Sequence, residues 1–123
     1  MESLSMIKNS VVLVPFPFDD QISSKVRPAL CLTNETGIFN HVIIAFISSR
    51  IPKDLPESDL VIKKYSDLWY GTGLAVDSVI RLHKLVTIPK SLIKRKLGTL
   101  SRDAETEVKN RLNHLFDCMQ NGH

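Results

Sequence analysis

The sequence predicts a mainly β protein closed by one C-terminal helix, and three stretches carry that expectation. Residues 10–33, S-V-V-L-V-P-F-P-F-D-D-Q-I-S-S-K-V-R-P-A-L-C-L-T, hold two aliphatic, β-branched runs on either side of a polar loop. Residues 74–88, L-A-V-D-S-V-I-R-L-H-K-L-V-T-I, contain a period-2 component. Near the C-terminus the apolar residues recur instead at spacings of three and four, the pattern of an amphipathic helix.

In chain order, residues 11–14 and 26–32 read as two largely buried strands of a long-looped hairpin. Pro15 and Pro17 lack ladder donors, so pairing should weaken or stop there. Residues 34–40 form a turn, with Asn34 and Gly37 as its punctuation. Residues 41–47, H-V-I-I-A-F-I, are almost continuously apolar and predict a central strand. The segment 51–58, with Pro52 and Pro56 among charges, is an exposed loop, and residues 59–64 a short strand. Residues 65–73 hold Trp69, Tyr70, Gly71 and Gly73. Such a loop can offer aromatic faces to a nucleobase or pack Trp69 onto the core, and packing is the commoner use. Strict alternation over 79–86 places Val79, Arg81, His83 and Leu85 on one side and Ile80, Leu82, Lys84 and Val86 on the other. Pro89 suits the start of a short helix over 90–96 that Gly98 ends. Ser101 caps the final helix, about 102–119, whose stripe is Ala104, Val108, Leu112, Leu115, Phe116 and Met119.

A chain of 123 residues with 43% hydrophobic and 24% charged residues fits a single globular domain, 1–123. No apolar run approaches the roughly 18 residues of a membrane span, and the N-terminus lacks a signal-peptide core, so a cytoplasmic protein with no membrane partner is expected. Cys31 and Cys118 match no metal or redox spacing and read as small hydrophobes. The four histidines show no zinc-like pairing, so neither a metal nor another cofactor is expected. The net charge of +3 suits a nucleic-acid partner without requiring one. Lys90, Lys94, Arg95 and Lys96 cluster, either as a solvated helix face or as a nucleic-acid contact.

Several polar residues interrupt apolar strands. Arg27 sits between Val26 and Pro28, where a core strand would carry an apolar side chain, and an arginine is rarely buried without a partner. It belongs at a strand end, facing a cleft or solvent. Ser48, Ser49 and Arg50 close the third strand and could form an anion-binding edge, although serine also simply terminates strands. Arg81 and His83, two residues apart, should face the same way.

The opening V-V-L-V-P-F-P-F-D, a polar loop and then K-V-R-P-A-L resembles that of the MazF/PemK toxins, ribonucleases of bacterial toxin–antitoxin systems. The resemblance runs from about residue 10 to 100. It includes G-L at Gly73–Leu74 and S-V-I-R-L-H-K-L over 78–85, where the family's usual form is S-V-V-R-L-D-K-L. Two departures stand out: Asn9 and Ser10 where the family often has glycine and an acid, and His83 in place of the acidic residue.

The resemblance implies a small, strongly bent SH3-like β-barrel over about 10–100, a homodimer, and RNA lying in a groove that both subunits contribute. It implies a sequence-specific endoribonuclease that cuts single-stranded mRNA and is neutralised by a cognate antitoxin. Arg27, Ser48 and His83 then become the catalytic candidates. Phe16, Lys25, Pro28, Ser49, Arg50 and Arg81 become RNA-binding candidates, with the loop over 16–25 reading bases. Beside this stands a second expectation, a non-catalytic SH3-like module that binds nucleic acid or a peptide.

Overall fold

The computed structural model describes residues 7–16, 25–38 and 40–117. Six antiparallel strands build one curled sheet, a half-barrel. They are β1 (Ser10–Phe16), β2 (Lys25–Cys31), β3 (His41–Ser48), β4 (Leu60–Ile62), β5 (Ser78–Pro89) and β6 (Arg95–Thr99), in the spatial order β4-β5-β3-β2-β1-β6. One helix, α1 (Arg102–Asp117), follows.

The apolar runs are unbroken because the sheet is apolar on both faces, and the pleat sorts neighbours between them. Val11, Leu30, Ala45, Ile80 and Leu82 pack on one face, which Ala104 and Val108 of α1 cover. Val12, Ala29, Cys31, Ile44 and Ile88 pack on the other, with Leu92 and Ile93 against them. Burial pushes the Cys31 thiol up to about 11, against a small opposing pull from Lys96, so it stays protonated at neutral pH. The helix starts where Ser101 Oγ accepts the Ala104 N–H at 3.2 Å. The expected stripe is shorter than its spacing suggests: Phe116 is 63% exposed, and Met119 and Cys118 lie outside the described residues.

Two expectations need correction. Residues 90–96 do not form a helix. Lys90–Leu92 makes one 3₁₀ turn and β6 begins at Arg95, pairing with β1 through a register shift between Val11 and Val12. A five-residue edge strand with two leading cations carries no apolar alternation to announce it, and the β1 edge decides its conformation. Of the four clustered cations, Lys90 opens the turn and pairs with Glu35, Lys94 lies between turn and strand, and Arg95 and Lys96 begin β6.

The second correction concerns β5. Its alternation breaks, because Ala45 faces Leu85 and Ile47 faces Ile80, leaving Phe46 opposite all of Arg81, Leu82, His83 and Lys84. Leu82 and Leu85, expected on opposite sides, consequently join the same core cluster.

The expected loss of pairing at Pro15 is only partly met: the β1–β2 ladder runs through Pro15 to Phe16, while pairing with β6 ends at Leu13, and Pro17 lies outside the described residues. The β2–β3 ladder stops at Ala29. Pro28 has no N–H with which to continue it, so β2 and β3 part company there. The gap between them is where the polar residues gather.

Candidate functional site

Arg27 and Ser48 stand at this parting and form a ridge between two hollows. The first, about 300 Å³, is lined by Phe16, Arg27, Phe46, Ser48, Arg81 and Lys84. The second, about 380 Å³, is lined by Arg27, Pro28, Ser48, Ser49, Ala75 and Val76. Both lie at the small end of the range for organic ligands, and three cations converge on the first.

Each wall has a structural cause. Phe16 and Phe46 meet edge to face, ring centroids 4.9 Å apart, and the Arg27 guanidinium carbon lies 5.9 Å from the Phe16 centroid. Among the described residues no carboxylate pairs with Arg27, so its donors are available to an anion. Ser48 Oγ accepts the Arg50 N–H at 3.0 Å and lies 3.4 Å from the Arg50 carbonyl. That turn fixes the hydroxyl at the lip of the gap. The β5 bulge brings Arg81 and Lys84 together on the first hollow, which strict alternation would have kept apart.

Of the sequence-derived candidates, the structure gathers Phe16, Arg27, Pro28, Ser48, Ser49 and Arg81 around the ridge. Lys25 is exposed and pairs across the hairpin with Phe16. Arg50 is exposed and lines neither hollow; its backbone serves Ser48. The proposed base-reading loop lies outside the described residues except at its ends, Phe16 and Lys25. Trp69 packs against the core and donates from Nε1 to the Leu74 carbonyl at 2.8 Å. Tyr65 and Tyr70 stay exposed beside it.

His83 does not line either hollow. It is joined to them through a residue that the sequence did not single out, Asp59, whose side chain is fully buried. Asp59 Oδ2 accepts the Arg81 Nε–H at 2.8 Å, and Oδ1 lies 2.8 Å from His83 Nδ1. Arg81 and His83 thus share one carboxylate, in line with their expected common direction. Burial alone would raise the Asp59 carboxyl. Hydrogen bonds from His83 and Arg81, with the His83 N–H, outweigh it and hold the group below its ordinary value. A signal for Asp59 did exist: two basic groups on a core strand need a buried counter-charge. Nothing in the sequence says which acid supplies it. Phe46 and Lys84 were missed for a related reason, since each reads as an ordinary strand residue until the bulge places it.

The lowered carboxyl has a consequence for acid stability. Asp59 stabilises the fold fully above the unfolded carboxyl's pKa of about 4, and that contribution disappears as pH falls through the lower folded-state value. Below about pH 4 the wild-type melting temperature should therefore fall more steeply than that of Asp59→Asn, which has no carboxylate to lose. Parallel melting curves across that range would assign the acid sensitivity elsewhere.

Solved structures share this architecture. The Mycobacterium tuberculosis toxin MazF-mt6 superposes with a TM-score of 0.66 at 21% identity, over 88% of this chain and 96% of that one. A mycobacterial endoribonuclease in complex with its cognate antitoxin gives 0.65 at 10% identity, over 92% and 94%. MazF from Deinococcus radiodurans gives 0.62 at 19%, over 89% and 94%. The fold is thus the MazF-type half-barrel. A family model described as PemK-like, MazF-like toxin of type II toxin–antitoxin system matches residues 8–116, and the chain belongs to that family.

Proposed function

We propose that this chain is a sequence-specific endoribonuclease toxin that cuts single-stranded mRNA by attack of the substrate's own 2′-hydroxyl, without a metal ion. The observation that carries this reading is the convergence of Arg27, Ser48 and Arg81 on one gap in the sheet, within a chain of this family. Internal attack needs three things: loss of the hydroxyl proton, stabilisation of the pentacovalent anion and a proton for the departing 5′-oxygen. The planar fork of Arg27 matches two phosphate oxygens, and Ser48 Oγ can donate to one of them. His83 lies outside the hollows but is tied to Arg81 through Asp59, and imidazole is the side chain that most often serves as a general base. A guanidinium holds its protons too firmly to serve as an acid, so the leaving oxygen takes its proton from solvent. Arg81, Lys25 and Arg50 hold flanking phosphates. Bases are read on an unpaired strand, where their edges are accessible.

The mycobacterial endoribonuclease of this fold was solved in complex with its cognate antitoxin, and MazF of Deinococcus radiodurans together with MazE. Here too a cognate antitoxin is the natural inhibitor, in the cytoplasm. A homodimer completes the groove, because a single small sheet offers little surface to an RNA strand. Sedimentation should give about twice the 13.9 kDa chain mass, and a clean monomer at micromolar concentration would remove the shared groove. The activity itself is tested by incubating purified protein with a long single-stranded RNA in EDTA. Discrete fragments ending in 2′,3′-cyclic phosphate are expected. RNA left intact across varied sequences would favour the non-catalytic binding module. Cleavage that appears only after a divalent ion is restored would overturn metal independence.

A further inference from the structure

Asp59 sits just before β4, and every polar atom it owns is engaged. Oδ1 accepts the His83 backbone N–H at 3.2 Å and the Ser58 hydroxyl at 3.3 Å, besides facing His83 Nδ1. Its own carbonyl accepts from Arg111 Nη1 at 2.6 Å, and the same nitrogen reaches the Glu57 carbonyl at 3.0 Å. Arg111 is in turn steered by Glu107, whose carboxylate accepts from Nε at 2.9 Å. Helix α1 therefore clamps the backbone of Asp59 from one side, while β5 binds its carboxylate from the other.

This arrangement decides which hydrogens its neighbours carry. A carboxylate offers acceptors alone, so the short contact to His83 requires a proton on Nδ1. In the neutral ring Nε2 is then the basic nitrogen, and it has no partner among the described residues. The bond to Arg81 Nε likewise leaves both terminal nitrogens of that guanidinium free to face a phosphate.

We propose that Asp59 is the positioning residue of this site: it fixes His83 in the Nδ1–H tautomer with Nε2 ready to take a proton, and it orients Arg81 toward the cleft. The proposal rests on the reading of His83 as the base that removes the 2′-hydroxyl proton. An imidazole needs its tautomer chosen before it can act as a base, and here an acid from another element chooses it. Charge neutralisation alone does not need this geometry, because a carboxylate paired only with Arg81 would neutralise equally well.

The test separates the two layers. Long-range ¹H–¹⁵N correlation spectra of labelled wild-type protein, at alkaline pH where the ring is neutral, should show Nδ1 protonated and Nε2 bare; the His83→Asn spectrum identifies the resonances. Asp59→Asn presents one oxygen and one NH₂ group to the same donors. Arg81 Nε–H and the His83 backbone N–H are both obligate donors, but the charged and shorter bond from Arg81, 2.8 Å against 3.2 Å, claims the oxygen, so the NH₂ group displaces the backbone contact and donates to His83 Nδ1. The ring should then switch to Nε2–H. Single-turnover cleavage should fall by about 10²–10⁴, the span from losing one proton-transfer group to trapping a wrong tautomer. An Nε2–H tautomer in the wild type overturns the proposal, and that measurement needs no variant to fold. Wild-type cleavage by Asp59→Asn beside an inactive His83→Asn overturns the positioning role while leaving His83 as the base. Wild-type cleavage by His83→Asn overturns the base reading, and the catalytic role of Asp59 with it. A purely structural Asp59 would lower the melting temperature yet leave the tautomer and the rate per folded molecule unchanged.

Discussion

Arg27→Ala is expected to fold normally and to cleave RNA at least about 10³-fold more slowly than the wild type. One pre-organised donor to a developing anion is typically worth 10²–10³ in rate, and an arginine set against a phosphoryl transition state about 10³ or more. Arg27 has little else to do. It is exposed, and its one described contact is with the Phe16 ring, an interaction worth about 0.5–1 kcal/mol at such a position. The melting temperature should barely move. Arg27→Lys should recover only a small part of the rate, because an ammonium cannot offer two parallel N–H bonds to adjacent oxygens. Single-turnover assays on a fixed RNA, alongside thermal melts, read both quantities. Full activity in the alanine variant would remove Arg27 from the chemistry.

A large effect on stability is expected at Gly98. A Cβ built there would lie 2.1 Å from the Gly71 carbonyl oxygen and 2.6 Å from the Thr72 carbonyl carbon. Both obstacles are backbone, and the Thr99 N–H ties β6 to that same Gly71 oxygen at 2.8 Å. The segment cannot step aside without breaking the β6 contact, so Gly98→Ala should cost about 4 kcal/mol or more, a large part of a domain's stability. Gly37→Ala is the control. That glycine has φ +74° but open space around it, so the cost should be the backbone term alone, roughly 1–2 kcal/mol. Urea denaturation of the two variants should separate them widely. A Gly98→Ala midpoint equal to that of Gly37→Ala would show that β6 can shift.

These two residues also show what could be read in the chain. The place of Arg27 was legible, because a cation inside an apolar run before a proline belongs at a strand end facing a cleft or solvent, and there β2 puts it. Gly98 was seen but misassigned, as the end of a short helix. Its purpose depends on residues 71–73 crossing β6, and no local pattern records that approach. The hairpin, the central strand and the capped helix were legible for the opposite reason: their apolar spacing is local and the sheet preserves it. β6 was not, since five residues with two cations become a strand only beside β1. Asp59 marks the same limit within the site. It lies 22 residues before Arg81 and 24 before His83, and the pairing exists only once β4 lies against β5.

The irregularity in β5 bears on how this chain can change over generations. Ser78–Ile80 takes its register from β4 and the end of β3, and Leu85–Pro89 takes its register from the start of β3. Each half is anchored separately, with Leu82 seated in the core between them. The polar residues of the bulge have no opposite number in the ladder, so the register on either side is set without them, and their side chains are engaged instead by the buried Asp59 carboxylate and the first hollow. The pairing that holds the strand and the side chains that make the site are thus carried by different residues of one element, and a substitution in the bulge should alter the site before it alters the sheet.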